Sequence, residues 1–189
     1  MQILKSKNEQ VYKDNLWIWD GDFRFFDGEK LPTKIAFNTY PRSGNSMLRR
    51  FLEQLTGAST GSTVSLHTAT SLQIQGLRGE GIIDDRAWIV KAHHPMILPG
   101  ASAFKSDKII CCIRSPLDVL PSFASLSNTL SHSGMPEYQY EKHFPDWWDW
   151  WLNAKTKAMY DYFNVMVDVH CKQKKLQPIY IVRYEDLLT

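Results

Sequence analysis

Four short segments of the 189-residue chain carry the side chains that could do chemistry. The first is Thr39-Tyr40-Pro41-Arg42-Ser43-Gly44-Asn45-Ser46. An apolar stretch precedes it and a helical pattern follows it. A turn in that position aims free backbone N–H groups and the positive end of a helix at one point, which suits a phosphate or sulfate group. Gly44 would let the backbone approach the anion, Ser43, Asn45 and Ser46 would add side-chain donors, and Arg42 a fixed positive charge. The second segment is Lys91-Ala92-His93-His94-Pro95. Lys91 and His93 are two apart and share a face at a strand end, and histidine is the natural general base near neutral pH. The third, residues 114–122 (RSPLDVLPS), offers Arg114 as a bidentate anion clamp and Ser122 as a hydroxyl partner. The fourth is Arg183-Tyr184-Glu185-Asp186-Leu187. Each also reads as ordinary structure on its own: a capped turn, a surface histidine pair, an Arg114–Asp118 surface ion pair, and a strand-to-helix transition. GxxxxGK[ST] and GxGxxG are both absent.

These residues need a scaffold, and the pattern around them supplies one. Residues 34–40 (KIAFNTY), 87–91 (AWIVK), 108–114 (KIICCIR) and 179–182 (IYIV) read as buried strands. Met47, Leu48, Phe51, Leu52 and Leu55 recur at helical spacing, with Gly57 as the C′ residue. Ser115-Pro116 opens a second helix, with Ser as N-cap and Pro at the first position. Pro121 should kink or break it. A long aromatic helix is expected over about residues 146–171, and residues 127–145 read as a long loop of the kind that forms substrate lids. Strands alternating with helices mean βαβ units. The expected fold is α/β, a three-layer α/β/α arrangement around a central parallel sheet. All four chemical segments then fall at carboxyl ends of strands, where open α/β sheets bind ligands. Residues 1–33 read as an aromatic arm, and 34–189 as the domain.

Composition narrows the function. Lys and Arg total 22 against 20 Asp and Glu, a formal charge of +2. That argues against nucleic acid as a partner while allowing one basic pocket. No apolar run approaches the ~20 residues that span a bilayer. The first ten residues have no signal-peptide character. Three cysteines cannot build a disulfide framework. A reducing, cytoplasmic setting is the simplest expectation.

In their order along the chain, the four segments resemble the motifs of sulfotransferases that use 3′-phosphoadenosine 5′-phosphosulfate (PAPS), a P-loop-like fold. Residues 39–46 are similar to their 5′-phosphosulfate loop (TYPKSGTT-like), and residues 91–95 to a KTHxP strand end. Residues 114–122 resemble the 3′-phosphate motif RNPxDxxxS, and Tyr184-Glu185-Asp186-Leu187 resembles YEDL. The YPRSGN loop, Gly79-Glu80-Gly81 and the Trp-rich residues 147–151 resemble the branch related to sulfotransferases that accompany WSC modules. The resemblance implies that Arg42, Ser43, Gly44, Asn45 and Ser46 hold the 5′-phosphosulfate. Lys91 would touch the sulfuryl oxygens and His93 would take the acceptor's proton. Arg114 and Ser122 would grip the 3′-phosphate, and Tyr184 would lie near the adenine. Met47 occupies the place of a Trp that packs on the adenine. PAPS would be the co-substrate, with no metal, and the acceptor a small molecule or glycan bearing a hydroxyl or amine.

The chain also departs from the pattern. Arg42 stands for the loop lysine and Ala92 for the Thr of KTH. The sequence ends at Thr189, before the place of the glycine- and lysine-rich loop that follows YEDL in relatives. The resemblance therefore implies a domain incomplete at its C-terminus: a fragment of a longer protein, a truncated gene model or a degenerate member. It also leaves the Golgi lumen as an alternative location, if an anchor lies outside this chain. Two other functions compete: a non-catalytic relative that binds a nucleotide or sulfated ligand, and a P-loop-like small-molecule kinase. The first should have lost Lys91, His93 or Arg114, and the second needs a Walker lysine with a Mg²⁺-binding partner.

Overall fold

The computed structural model describes residues 23–28, 30–31, 33–65, 72, 76–93, 101–129, 145–173 and 177–188. The expected hairpin or arm over the first 22 residues, His94, and most of the expected loop at 127–145 lie outside the described residues.

The elements are β1 (Ile35–Thr39), α1 (Asn45–Thr56), β2 (Gly61–Ser62), β3 (Gly79–Glu80), β4 (Ile89–Ala92), β5 (Lys108–Ile113), α2 (Pro116–Thr129), α3 (Pro145–Gln173) and β6 (Ile179–Arg183), followed by a 3₁₀ turn (Glu185–Leu187). The strands form one parallel sheet in the order β3-β2-β4-β1-β5-β6. The α/β class expected from the sequence is the one observed. All of β4 and all but the first residue of β1 are buried. They read as continuous apolar runs because parallel strands are covered on both faces. β6 ends the order and leaves Tyr180 and Ile181 exposed. Among the described residues, no helix is long and apolar enough to cross a membrane.

The chain divides into two compact units. One comprises Met1–Phe37, Ser46–Ala92 and Leu98–Lys108; the other comprises Asn38–Asn45, His93–Ile97 and Ile109–Thr189.

In the first unit, two strands escape the sequence pattern. β2 and β3 are two residues each, and each begins with glycine. A Cβ on Gly61 would meet Ile82 O and fall 2.9 Å from Ala87 Cβ, so only glycine fits. Ser62 of β2 pairs in register with Glu80 of β3 on one side and Lys91 of β4 on the other. Helix α1 ends as expected: Gly57 has φ 68° and its N–H donates to Glu53 O at 2.8 Å.

The buried face of α1 is not the expected apolar stripe. Leu55 is 83 % exposed, whereas Arg49 and Glu53 are fully buried beside Leu48. Polar partners turn the helix this way. Arg49 pairs with Glu80, its Nε donates to Thr60 Oγ1 at 2.8 Å, and Glu53 Oε1 accepts from Thr60 N at 2.7 Å and Thr60 Oγ1 at 2.6 Å.

The second unit holds an aromatic core. Tyr40 meets Phe123 and Tyr162 edge-on at 5.8 and 5.5 Å, and Phe123 meets Trp151 at 5.9 Å. This cluster joins the chain just after β1 to helices α2 and α3. Cys111 and Cys112 are free and both buried, as adjacent residues of a strand covered on two faces must be. Helix α2 runs unbroken through Pro121 to Thr129, which corrects the expected break. Pro121 lies in the second turn, where its missing N–H removes one hydrogen bond and leaves the turns beyond it formed.

Candidate active site

The loop between β1 and α1 lies in the second unit up to Asn45. Its backbone is unusual. Arg42 has φ 69°, the only left-handed non-glycine among the described residues, and Gly44 has φ 84°. Left-handed backbone costs a non-glycine residue about 1–2 kcal/mol and gathers where function requires it. The two flank Ser43, whose own N–H donates to Tyr40 O at 3.2 Å; left-handed residues at such spacing recur in the backbone concavities that bind anions.

The strained residue is held at both ends. Arg42 Nε donates to Ser122 Oγ at 2.7 Å, and Arg42 O accepts from Arg114 Nη1 at 3.0 Å. Two residues of one distant motif, Arg114 at the strand end and Ser122 in the helix that follows, thereby fix the loop. The expected Arg114–Asp118 alternative is not formed: the Arg114 guanidinium turns to Arg42 and stacks 4.5 Å above the Tyr184 ring.

Tyr184 has a second contact. A Cβ on Gly44 would fall 2.6 Å from Tyr184 Cε2. Glycine at 44 thus serves its positive φ and the close approach of the Tyr184 ring. The motif's other residues lock the ring in place. Tyr184 N donates to Ile113 O at 2.8 Å, and Glu185 Oε1 accepts from Ser115 N at 3.0 Å. That last bond holds the Glu185 carboxyl below its ordinary pKa.

Positive charge is concentrated here. Burial first, and then the nearby Arg114 charge, lower the Arg42 pKa, with Tyr184 acting the other way. A guanidinium stays protonated regardless, so two cations are held beside one loop. Arg114 Nε and Ser43 Oγ are buried donors with no acceptor, and Asn45 Oδ1 is unpartnered while its Nδ2 donates to Thr39 Oγ1 at 3.0 Å. Buried donors left unpaired cost about 1–3 kcal/mol each. An anion's oxygens would supply acceptors for Arg114 Nε and Ser43 Oγ, so these two donors fit a phosphate or sulfate group, whereas Asn45 Oδ1 is itself an acceptor.

His93 follows β4 and is buried. Its Nδ1 lies 2.7 Å from Thr39 O. A carbonyl can only accept, so Nδ1 carries the proton and Nε2 is the basic nitrogen. The last residue of β1 thus sets the tautomer that a general base requires.

Lys91 belongs to the first unit, as do Ser46 and Met47, which are half-buried in the first turn of α1. Lys91 is buried, and burial brings its ammonium down to about 8; Glu80 opposes that shift and Arg49 adds to it.

The second unit therefore brings together Arg42, Ser43, Gly44, Asn45, Arg114, Ser122, Tyr184 and, through Thr39, His93. Sequence reasoning named Thr39, Glu185 and Glu80 only as members of their segments, without these contacts, and missed Arg49 altogether. Arg49 and Glu53 at i, i+4 resemble a solvated surface pair. Only Gly79-Glu80-Gly81, an acidic residue between glycines, marked the place.

A family model of the sulfotransferase domain matches residues 32–189. Comparison with curated proteins and with solved structures gives no match. The matched region contains all four motifs, the parallel sheet and the anion-ready loop, and the chain belongs to the sulfotransferase family.

Proposed function

We propose that the protein transfers a sulfuryl group from PAPS to a hydroxyl or amine on a small-molecule or glycan acceptor. One observation carries the reading: Arg42, Ser122, Arg114 and Tyr184, from three separate motifs, converge on one strained loop with Ser43 Oγ and Arg114 Nε buried and unpartnered. Within the family, the YPRSGN loop, the Gly79-Glu80-Gly81 segment and residues 147–151 favour the branch related to WSC-module-associated sulfotransferases.

The donor supplies an activated S–O bond whose leaving group is the 5′-phosphate of adenosine 3′,5′-bisphosphate. The residues 42–46 hold that phosphosulfate through backbone N–H groups and the Arg42 charge, and Ser46 adds its hydroxyl. Arg114 and Ser122 take the 3′-phosphate. Tyr184 and Met47 are assigned to the adenine side. Lys91 donates to the sulfuryl oxygens. His93 Nε2 accepts the acceptor's proton as the acceptor oxygen or nitrogen bonds to sulfur. Catalysis of this kind is mostly positioning and charge stabilisation. Arg42 stabilises charge on the departing phosphate but cannot readily give up a proton.

Calorimetric titration with adenosine 3′,5′-bisphosphate, and with ATP plus Mg²⁺, tests the reading, together with transfer from ³⁵S-labelled PAPS to a panel of glycans and phenols. Tighter binding of the bisphosphate and label on an acceptor are expected. Preference for ATP that depends on Mg²⁺ would overturn it in favour of a kinase. Bisphosphate binding with no transfer across the panel would favour the non-catalytic relative.

A further inference from the structure

The buried charges of the first unit are costly, and their arrangement gives them a use. Arg49 and Glu80 form an ion pair with both side chains fully buried. Replacing such a pair with apolar residues is often neutral or stabilising, so stability alone does not account for it. Glu80 uses one carboxylate oxygen on Arg49, while Oε2 is buried with no partner. Glu80, Ser62 and Lys91 are register partners across three adjacent parallel strands. Register partners point to the same face, and strands lie ~4.8 Å apart, so Glu80 and Lys91 flank Ser62 with Cα atoms ~10 Å apart. Ser62 is small and its Oγ accepts from Val64 N at 3.1 Å; Glu80 and Lys91 act on each other across it through charge, and Glu80 makes its ion pair with Arg49.

Resting on the reading of Lys91 as the sulfuryl-oxygen ligand, we propose that Glu80, clamped by Arg49, is a positioning residue that keeps the Lys91 ammonium charged in the protein interior. Arg49 is in turn fixed by Thr60, whose Oγ1 and carbonyl accept from Nε at 2.8 Å and Nη2 at 3.2 Å. The charged groups acting on Lys91 come from two elements: Glu80 of β3 attracts, and Arg49 of α1 repels. Glu53 faces Thr60, which occupies its carboxylate. With the attraction the larger of the two, Lys91 stays mostly protonated at neutral pH despite its burial. A neutral Lys91 would offer the sulfuryl oxygens no charge.

The experiment is a pH titration of Lys91 in the full chain by ¹³Cε chemical shift with labelled lysine, assigned through Lys91→Arg, run beside the pH profile of kcat. Glu80→Gln should lower the Lys91 midpoint by about one unit or more and move the falling limb of kcat with it, which is about tenfold less activity above the new midpoint. Arg49→Gln should raise the midpoint, an opposite shift that loss of structure alone would not produce. If either single variant does not fold, Arg49→Met with Glu80→Leu, which replaces the pair by apolar groups, should fold and still show a midpoint below that of the native chain. A Lys91 midpoint unchanged in Glu80→Gln and in the double variant overturns the role of Glu80. A midpoint that moves as expected in a chain that transfers no sulfuryl group overturns the donor reading instead, and leaves Glu80 as the residue that holds the Lys91 charge.

Discussion

The Tyr184 ring lies against Gly44 with no room for a methyl group between them, and the Arg114 guanidinium stacks on the same ring. A residue near the end of the chain thereby sets the shape of a loop 140 positions earlier, counting from Gly44 to Tyr184. Gly44→Ala meets two penalties: a left-handed φ and the ring. Gly57→Ala has the same kind of φ, 68°, but nothing within 4 Å of the added Cβ. Gly57→Ala should cost ~1 kcal/mol. Gly44→Ala should cost more, by ~1–3 kcal/mol as for an overpacked site, and should also abolish bisphosphate binding. Urea denaturation of both variants checks the order, and equal losses would contradict the contact.

Loss of His93 should separate turnover from binding. His93→Ala should lower kcat by ~10²–10⁴-fold, the range for a lost general base, with bisphosphate affinity nearly unchanged. His93→Asn can still donate to Thr39 O but has no basic nitrogen, so it should preserve stability better than His93→Ala while remaining as inactive. Activity recovered in the Asn variant would remove His93 from the role of base.

The loop cations should behave as one site. Ser122→Ala removes the acceptor of the Arg42 Nε bond, and Arg114→Gln removes both a charge and the bond to Arg42 O. Each change removes a charge-assisted hydrogen bond worth about 1.5–3 kcal/mol, so bisphosphate affinity should fall by ~10–150-fold in both, and further in Arg114→Gln, which also removes a charge. A double-variant cycle should show coupling, since both changes free the same left-handed residue. Strictly additive losses would mean that the two residues act on separate ligand groups.

Lys91 should make the protein less stable than it could be. Its folded-state value of about 8 lies below that of free lysine, 10.5, so the unfolded chain binds more protons between those pH values. Stability from this group therefore rises with pH across that window, and its full cost is present below about pH 8. Lys91→Met should be inactive yet more stable at pH 7 by ~1–3 kcal/mol, with the gain shrinking toward pH 10. Comparing the two chains at each pH cancels the thiols and phenols that titrate in the same range. A variant less stable at pH 7 would contradict the cost of burying this charge.

Cys112 should resist thiol reagents. Burial, with smaller contributions from Cys111 and Glu185, pushes its thiol up to about 12, and burial raises Cys111 as well. In a Cys171→Ser background at pH 8, the native chain should react with a disulfide reagent only at the rate of global unfolding. Each raised thiol is protonated in the fold when the unfolded chain has lost its proton, so this part of the stability is present below about pH 9 and lost as pH rises toward 12. Fast labelling of the folded chain would contradict the burial.

Much of this protein is written locally. The strands around residues 35–39, 89–92 and 108–113 are legible because a parallel strand covered on both faces carries apolar residues without alternation, and such runs stand out against polar turns; 179–183 is legible by its β-branched and aromatic run although it lies half exposed at the end of the sheet. Ser115-Pro116 and Gly57 mark helix ends because capping is decided by one residue's backbone. The four chemical segments are legible as residue types in an order. Other features depended on partners far away in sequence. β2 and β3 have two residues each, too few for any period, and exist because Gly61 and Gly79 admit neighbouring backbone. The inward face of α1 was decided by Thr60 and Glu80, which turn Arg49 and Glu53 inside and leave Leu55 in water. Helix α2 continues past Pro121 because one lost hydrogen bond does not undo the turns beyond it. The left-handed Arg42, the protonated Nδ1 of His93 and the Tyr184 ring on Gly44 are each set by a contact more than 50 residues distant: Ser122 and Arg114, Thr39, and the loop itself. Sequence carries the chemistry of each group; the charge, tautomer and direction of that group come from the atoms packed against it, and only the fold chooses those.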